Sequence, residues 1–477
     1  MKKDYVNPLI KRYASKEMSY IFSDEYKFLT WRELWIVLAE TQKELGLEII
    51  TRNDIDLLKK EKNNLNEEKI REYEYKFKHD VMANIHAYGD LVGDAKKIIH
   101  LGATSAFVQD NTDLIQYKEA LKIIKEKGMM LLSELANFAL KYHDLPTLGY
   151  THFQPAQLTT VGKRSCLWIN SLYHDLLDIV DLIEKIEFRG VKGTTGTQAS
   201  FKSLFNEDYL QVKKLDKIVS EKMGFSKIQE VTGQTYDRKT DTKILQALNN
   251  IAETSLKFSN DLRLLQHEHE IEEPFLEKQI GSSAMPYKQN PMRCERISSL
   301  AKFVLSLTLN GSLVSSTQWL ERTLDDSANK RLSLPQSFLA IDGILTIWLN
   351  VIDGIRVNEK VIINNVKKNL PFMITEEILM QEVNNGKDRQ LIHEIIREHS
   401  IKAIKEINEE GKENKLIEYL ANDEKISLTY EELNEMLEPQ KYIGFSSEQT
   451  IDFIENIIIP FIKENPITLK INKELLV

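Results

Sequence analysis

The stretch Leu114–Tyr142, LIQYKEALKIIKEKGMMLLSELANFALKY, sets its apolar residues three and four apart. Leu114, Tyr117, Leu121 and Ile124 form the first part, and after Gly128 the stripe resumes at Leu132, Leu135, Phe138 and Tyr142. That period puts one apolar face on a long helix. The spacing returns at Leu172, Leu176, Ile179, Ile183 and Ile186, and with weaker phasing at Ile244, Leu248, Ile251, Ser255 and Leu262. Ile297, Leu300, Val304 and Thr308 form a fourth stripe, and Leu332, Leu339, Ile344 and Trp348 lie in a fifth apolar stretch. Helices this long gain little unless they pack lengthwise on neighbours. The sequence therefore predicts an all-α fold of three helical domains, 1–104, 105–357 and 358–477, with a long central bundle in the second. Apolar faces of that extent favour association with further copies of the chain.

Bulk properties agree. Glycine (19) and proline (11) are scarce in 477 residues, so turns are few and long helices are favoured. A net charge of −9 argues against a nucleic-acid binder. The two cysteines, Cys166 and Cys294, form no CxxC pair, so neither a metal site nor a disulfide framework is expected, and a reduced, cytoplasmic setting fits. The N-terminus lacks the apolar core of a signal peptide. No segment is expected to span a membrane, the most apolar late stretch, Ile457–Ile462, being short and interrupted by Pro460.

Four irregular segments interrupt the stripes: His100–Thr112, Leu145–Thr160, Arg189–Phe201 and Ile280–Arg293. Loops on a rigid scaffold are where chemistry concentrates. The sharpest is Gly281–Pro291, GSSAMPYKQNP, which runs into a helix that Pro291 can begin. Backbone N–H groups at such a helix start favour anions. Gly190–Gly196 lacks the GK[ST] ending of a triphosphate loop. Lys59–Lys69 reads as a solvated charged stretch.

GSSAMPYKQNP is similar to the hallmark loop of the fumarase/aspartase superfamily. GATSAFVQDN (Gly102–Asn111) and TLGYTHFQPAQLTT (Thr147–Thr160) resemble its two other shared regions, in the expected order. RYASKEM (Arg12–Met18), RGVKGTTGTQASF (Arg189–Phe201), TGQTYDRK (Thr232–Lys239), EEPF (Glu272–Phe275) and QWLERTLDDSANKR (Gln318–Arg331) look like the animal-type branch that cleaves adenylosuccinate. The likeness runs from about residue 7 onward and thins after about 400.

The resemblance implies β-elimination of fumarate from adenylosuccinate, giving AMP. It implies the same step on the earlier succinylaminoimidazole carboxamide ribonucleotide of purine synthesis. It also implies a homotetramer built on the central bundle, with each active site shared between subunits, and no metal or organic cofactor. Ser282 matches the general base and His152 the general acid. A histidine suits proton donation near neutral pH. Lys288 would hold the carboxylate as charge develops, and Glu295 would pair with Lys288. His79 matches a second histidine that orients substrate, whereas His86 reads as an ordinary helix residue. Arg12, Tyr13, Ser327 and Arg331 match phosphate-binding groups, and arginine suits phosphate through its planar fork. Thr104 and Ser105 match hydroxyls that bind the succinyl carboxylates. Thr151, Gln234, Arg296 and Arg322, with Lys78 and Asp80 flanking His79, match further binding positions. Lys78 departs from the arginine of that branch, and Tyr287 stands where histidine is common elsewhere. Two alternatives remain open: another fumarate-releasing lyase of the superfamily, such as one acting on argininosuccinate, and a non-catalytic structural relative.

Overall fold

The computed structural model describes residues 5–468. The five apolar stripes lie on the helices Ser105–Lys141, Val161–Lys185, Lys239–His267, Met292–Leu307 continuing as Leu309–Ser316, and Asp325–Asp353, with Tyr142, Ile186 and Thr308 at the caps. They pack lengthwise, and Leu114, Leu121, Leu132, Leu172, Leu176, Ile251 and Trp348 are fully buried. Burying each such side chain contributes roughly 1.5–3 kcal/mol. Phe258 stacks on Trp348 at 4.4 Å between ring centres and meets Trp168 edge-on at 5.2 Å. The Trp168 indole N–H donates to Asp261 (2.8 Å), so this buried polar group is not left unpaired. The fourth helix breaks at Thr308, whose hydroxyl lies 2.8 Å from Asn249 Oδ1 and 3.2 Å from the Val304 carbonyl. Such local bonds compete with the helical ladder.

Before the bundle, Asp24–Glu44 buries Trp31, Leu34, Trp35 and Leu38 against the helices that follow, Asp80–Val92 among them. After it, Glu359–Met373, Thr375–Asn384 and Arg389–Glu410 build a second apolar core around Val366, Ile374, Ile378, Ile392, Leu416 and Leu433. Leu148 and Leu158 belong to that second core, whereas Ile454, Ile458 and Phe461 return to the large one.

One expectation is corrected and a second is qualified. The chain is mostly helical, but Leu145–Thr160 is not irregular: Pro146–Thr151 pairs antiparallel with Gln154–Thr160. The hairpin turns on two residues, His152 (φ 53) and Phe153 (φ 58), both left-handed as a type I′ turn requires. Asn-Gly is the usual signal for that turn, and a His-Phe pair gives none. A second small ladder joins Ile271–Glu272 to Arg356–Val357. Second, apolar windows of membrane-spanning length do occur, in Met292–Ser316 and Asp325–Asp353, a property that core helices of soluble proteins share, so the expectation that no segment spans a membrane is not overturned. The apolar window of Asp325–Asp353 is 83% buried, as a core helix is, while that of Met292–Ser316 is only 39% buried.

Candidate active site

Helix starts converge on one cleft. The Ser105–Lys141 helix brings Thr104 and Ser105, the Asp80–Val92 helix His79 and Asp80, and the Asp325–Asp353 helix Ser327 and Arg331. Lys78, Gln234 and Arg322 complete the predicted set in this cleft of about 650 Å³. Lys78 sits at φ 54, ending the Glu67–Phe77 helix in the left-handed conformation common at helix C-termini. That reversal sets His79 at the next helix start, where its Nδ1 accepts the Met82 N–H (3.4 Å). Its Nε2 atom faces Ser105 Oγ at 3.3 Å. Asp80 accepts from Gln109 Nε2 (3.0 and 3.2 Å) and faces Arg331 at 3.5 Å. Arg322 donates to Gln234 Oε1 (2.7 Å). Thr104 Oγ1 is buried without a hydrogen-bond partner, although buried hydroxyls ordinarily have one. An acceptor or donor from a bound molecule would satisfy it.

Sequence reading missed the charge network beneath this cleft. Arg238 pairs with Asp326 (2.7 Å) and Asp110 (3.2 Å), and Lys330 pairs with Asp113. Burial pushes the Asp110 carboxyl up, but Arg238, Lys330 and Arg189 outweigh it and hold the group at about 2. Asp326 and Lys330 flank Ser327 and Arg331, so the network fixes the stretch that carries them. Gln109 and Asp110 stand inside GATSAFVQDN, and Asp326 and Lys330 inside QWLERTLDDSANKR. The strings were legible, but the partnership across 128 positions between Asp110 and Arg238 was not.

The other predicted residues lie elsewhere on the chain. Thr104 and Ser105 stand at the start of a 37-residue helix, and the hairpin carrying Thr151 and His152 follows its end. At 1.5 Å per residue that helix spans about 55 Å. Gln234 precedes the 29-residue Lys239–His267 helix, while the Ser282 loop is tied to its far end, where Gln266 donates to the Gln289 carbonyl (3.0 Å). That helix spans about 43 Å. Tyr13 packs midway along the bundle, and Arg12 beside it is exposed. The Ser15 N–H donates to Asp342 (2.6 Å), itself buried against Lys127 (2.5 Å). Tyr13 covers Gly343, twelve residues or about 18 Å along its helix from Arg331. A single chain therefore brings together Lys78, His79, Asp80, Thr104, Ser105, Gln234, Arg322, Ser327 and Arg331. It does not bring Ser282, Lys288, His152, Thr151, Arg12 or Tyr13 to them.

Within its loop, Ser282 Oγ accepts the N–H groups of Met285 (3.1 Å) and Ala284 (3.3 Å). Asn290 closes the loop by donating to the Gly281 carbonyl (2.9 Å). Two donors aimed at one hydroxyl oxygen stabilise negative charge there. The expected use of the following helix start is corrected. The buried Glu273 carboxyl group accepts the N–H groups of Arg293 (3.0 Å) and Cys294 (2.9 Å), so a side chain of the same chain already occupies it. Pro291 precedes this helix rather than opening it. No ion pair joins Lys288 to Glu295 among the described residues; Glu295 is exposed in the first turn, and Arg296 is half-buried beside it.

A family described as "Lyase" matches residues 13–305, and a second, described as "Adenylosuccinate lyase C-terminus", matches residues 371–453. The solved 3-carboxy-cis,cis-muconate lactonizing enzyme of Pseudomonas putida superposes with a TM-score of 0.81 at 20% identity, covering 96% of this chain and all of that one. A fumarate lyase from a Mesorhizobium species gives 0.78 at 19% identity, over 94% of this chain and 99% of its own. Fold and family matches define the class: a lyase with the fumarase/aspartase-type architecture. The adenylosuccinate lyase of Saccharomyces cerevisiae is 48% identical over 466 residues, 96% of this chain and 97% of the relative. That of Schistosoma mansoni is 44% identical over 480 residues, 99% and 98%. The chain belongs to the adenylosuccinate lyase family and is a carbon–nitrogen lyase.

Proposed function

We propose that the chain eliminates fumarate from adenylosuccinate, giving AMP. We extend the same step to the succinylaminoimidazole carboxamide ribonucleotide, giving the free aminoimidazole carboxamide ribonucleotide. Ser282, as the alkoxide, removes the proton from the carbon beside a succinyl carboxylate. The electron pair left on that carbon delocalises onto the carboxylate, which Lys288 holds. The carbon–nitrogen bond then breaks, and His152 gives a proton to the departing nitrogen. Thr104 and Ser105 bind carboxylate oxygens at the start of their helix. Arg331, Ser327, Arg12 and Tyr13 take the phosphate. His79, whose ring is oriented by Met82 and Ser105, positions the substrate.

The observation that carries this reading is the pair of N–H groups on Ser282 Oγ, which lets a serine act as a base. The ends of the bundle support a second element. Base and acid stand far from the cleft of their own chain, so we propose that neighbouring chains of a homotetramer complete each centre. Leu309, Leu313, Trp319, Leu320, Leu324 and Leu332 are exposed and apolar, as a surface awaiting copies of the chain would be. We place this soluble enzyme in the cytoplasm.

The test is ultraviolet detection of adenylosuccinate cleavage by purified protein, with released fumarate measured separately. Argininosuccinate serves as the rival substrate. Turnover of argininosuccinate alone would defeat the substrate assignment. A folded tetramer inert on every succinyl compound would favour a structural relative.

A further inference from the structure

The motif RGVKGTTGTQASF has no part in the chemistry above, yet the fold takes unusual care over it. Its stem is fully tied. Gly190 exchanges hydrogen bonds with the Asn111 side chain (3.1 Å each way), and the Val191 N–H donates to Asp216 (2.7 Å). Lys192 forms a buried ion pair with the same Asp216 (2.6 Å). Gly193 and Gly196 both have left-handed φ, and a Cβ at Gly196 would lie 1.9 Å from the Thr232 carbonyl oxygen, so the tip presses on the segment leading to Gln234. Arg189 has no exposure to solvent and spends its guanidinium on three main-chain carbonyls. Its Nη1 donates to Gly190 (3.1 Å), Nη2 to Gly193 (3.0 Å) and Nε to Gln234 (2.8 Å). Burial pushes that guanidinium down to about 10, with Asp110 and Asp216 opposing, so it stays charged at neutral pH.

The result is an exposed Thr194 hydroxyl at the tip, lining the same cleft as Thr104, Ser105, Gln234 and Arg322. Carbonyls of two walls 41 positions apart, Gly193 and Gln234, hang from one rigid fork. Lysine could not bridge them, because a single ammonium lacks the planar set of donors.

We propose that Thr194 is a further substrate-binding residue, donating to a carboxylate of the succinyl group, and that Arg189 is the positioning residue that holds Thr194 and Gln234 in register across the cleft. This rests on the elimination reaction assigned above. It adds a third hydroxyl to the Thr104–Ser105 wall and gives the glycine-rich tip a purpose other than phosphate cradling.

The test uses the intact oligomer with substitutions Thr194→Ala, Thr194→Ser and Arg189→Lys. Thr194→Ala removes one hydrogen bond to a charged group, so KM for adenylosuccinate and the inhibition constant for fumarate should each rise roughly tenfold. The inhibition constant for AMP should not move, and Thr194→Ser should restore both. Arg189→Lys should raise KM in the same direction. An unchanged fumarate constant in Thr194→Ala, in an enzyme whose parent turns over, overturns the role of Thr194 and leaves the elimination intact. A shift in the AMP constant instead overturns the carboxylate assignment. An Arg189→Lys enzyme with lowered Tm but unaltered KM makes Arg189 merely structural. A parent inert on adenylosuccinate overturns both this inference and the function it rests on.

Discussion

In the proposed mechanism Ser282 is the base, and it has very little around it. Its oxygen has two loop N–H groups and no side-chain base in the described residues, so loss of the hydroxyl removes the only group in that loop aimed at proton abstraction. Ser282→Ala is expected to cut turnover by at least ~10²–10⁴, the usual worth of a positioned base, with an unchanged helical signal. Steady-state assay beside circular dichroism checks it, and near-normal turnover would remove serine from the mechanism. Asp175 makes a different prediction. Burial between two bundle helices raises its carboxyl from 3.8 to about 7, against a hydrogen bond from Thr254 and with Asp178 and Glu253 adding to the rise. The folded chain thus keeps a proton that the unfolded chain releases above its own pKa of 3.8. Between those values stability falls as pH rises, and above about 7 the loss is complete. Asp175→Asn removes this dependence. Its Tm advantage over the parent should therefore grow from pH 4 to 7 and then level, and a pH-independent difference would contradict it.

At the scale of elements, the hairpin Pro146–Thr160 is held by a backbone contact that tolerates no side chain. A Cβ at Gly162 would lie 2.4 Å from the Ala139 carbonyl oxygen and 2.7 Å from His143 Cα, both main chain and unable to step aside. Gly162→Ala should cost at least ~1–3 kcal/mol, as overpacking does, and should lower turnover by moving the hairpin that bears His152. Thermal denaturation and assay measure the two effects, and an unchanged Tm would show the contact to be loose. The helices flanking this hairpin were legible in the sequence because Leu132, Leu135, Leu172 and Leu176 repeat at helical spacing. The hairpin was not, because its turn is built from His152 and Phe153 in a conformation those residue types seldom adopt. The same holds for the filled start of the Met292–Leu307 helix. Pro291 and Asn290 announce a helix, but nothing local says that Glu273, twenty positions earlier, folds back to cap it.

For the whole molecule, the motif strings singled out the candidate site residues, and one cleft gathers nine of them. What the strings could not give is distance. Ser105 and His152 are 47 positions apart and look like neighbours in a list, yet a helix of about 55 Å separates them. We propose retaining the division at about 105 and 358, with one amendment. Ile454, Ile458 and Phe461 leave the C-terminal unit and pack on the main core, while Leu148 and Leu158 join the C-terminal one. The hairpin therefore couples that unit to the end of the bundle that carries His152. Copies packed with bundles antiparallel would bring one chain's Ser282 end to another chain's His79 and Arg331 end.

Mixing two variants, each impaired in a different part of the proposed centre, tests this most directly when assayed at low adenylosuccinate. Ser282→Ala and Arg331→Ala protein are dissociated, combined and reassembled, with hybrid formation followed by native mass spectrometry. If the centre is shared, some hybrid sites receive an intact Ser282 from one chain and an intact Arg331 from the other, and adenylosuccinate cleavage returns. If hybrids form and cleave no faster than their parents, base and cleft belong to one chain, and the assembly proposed here is wrong.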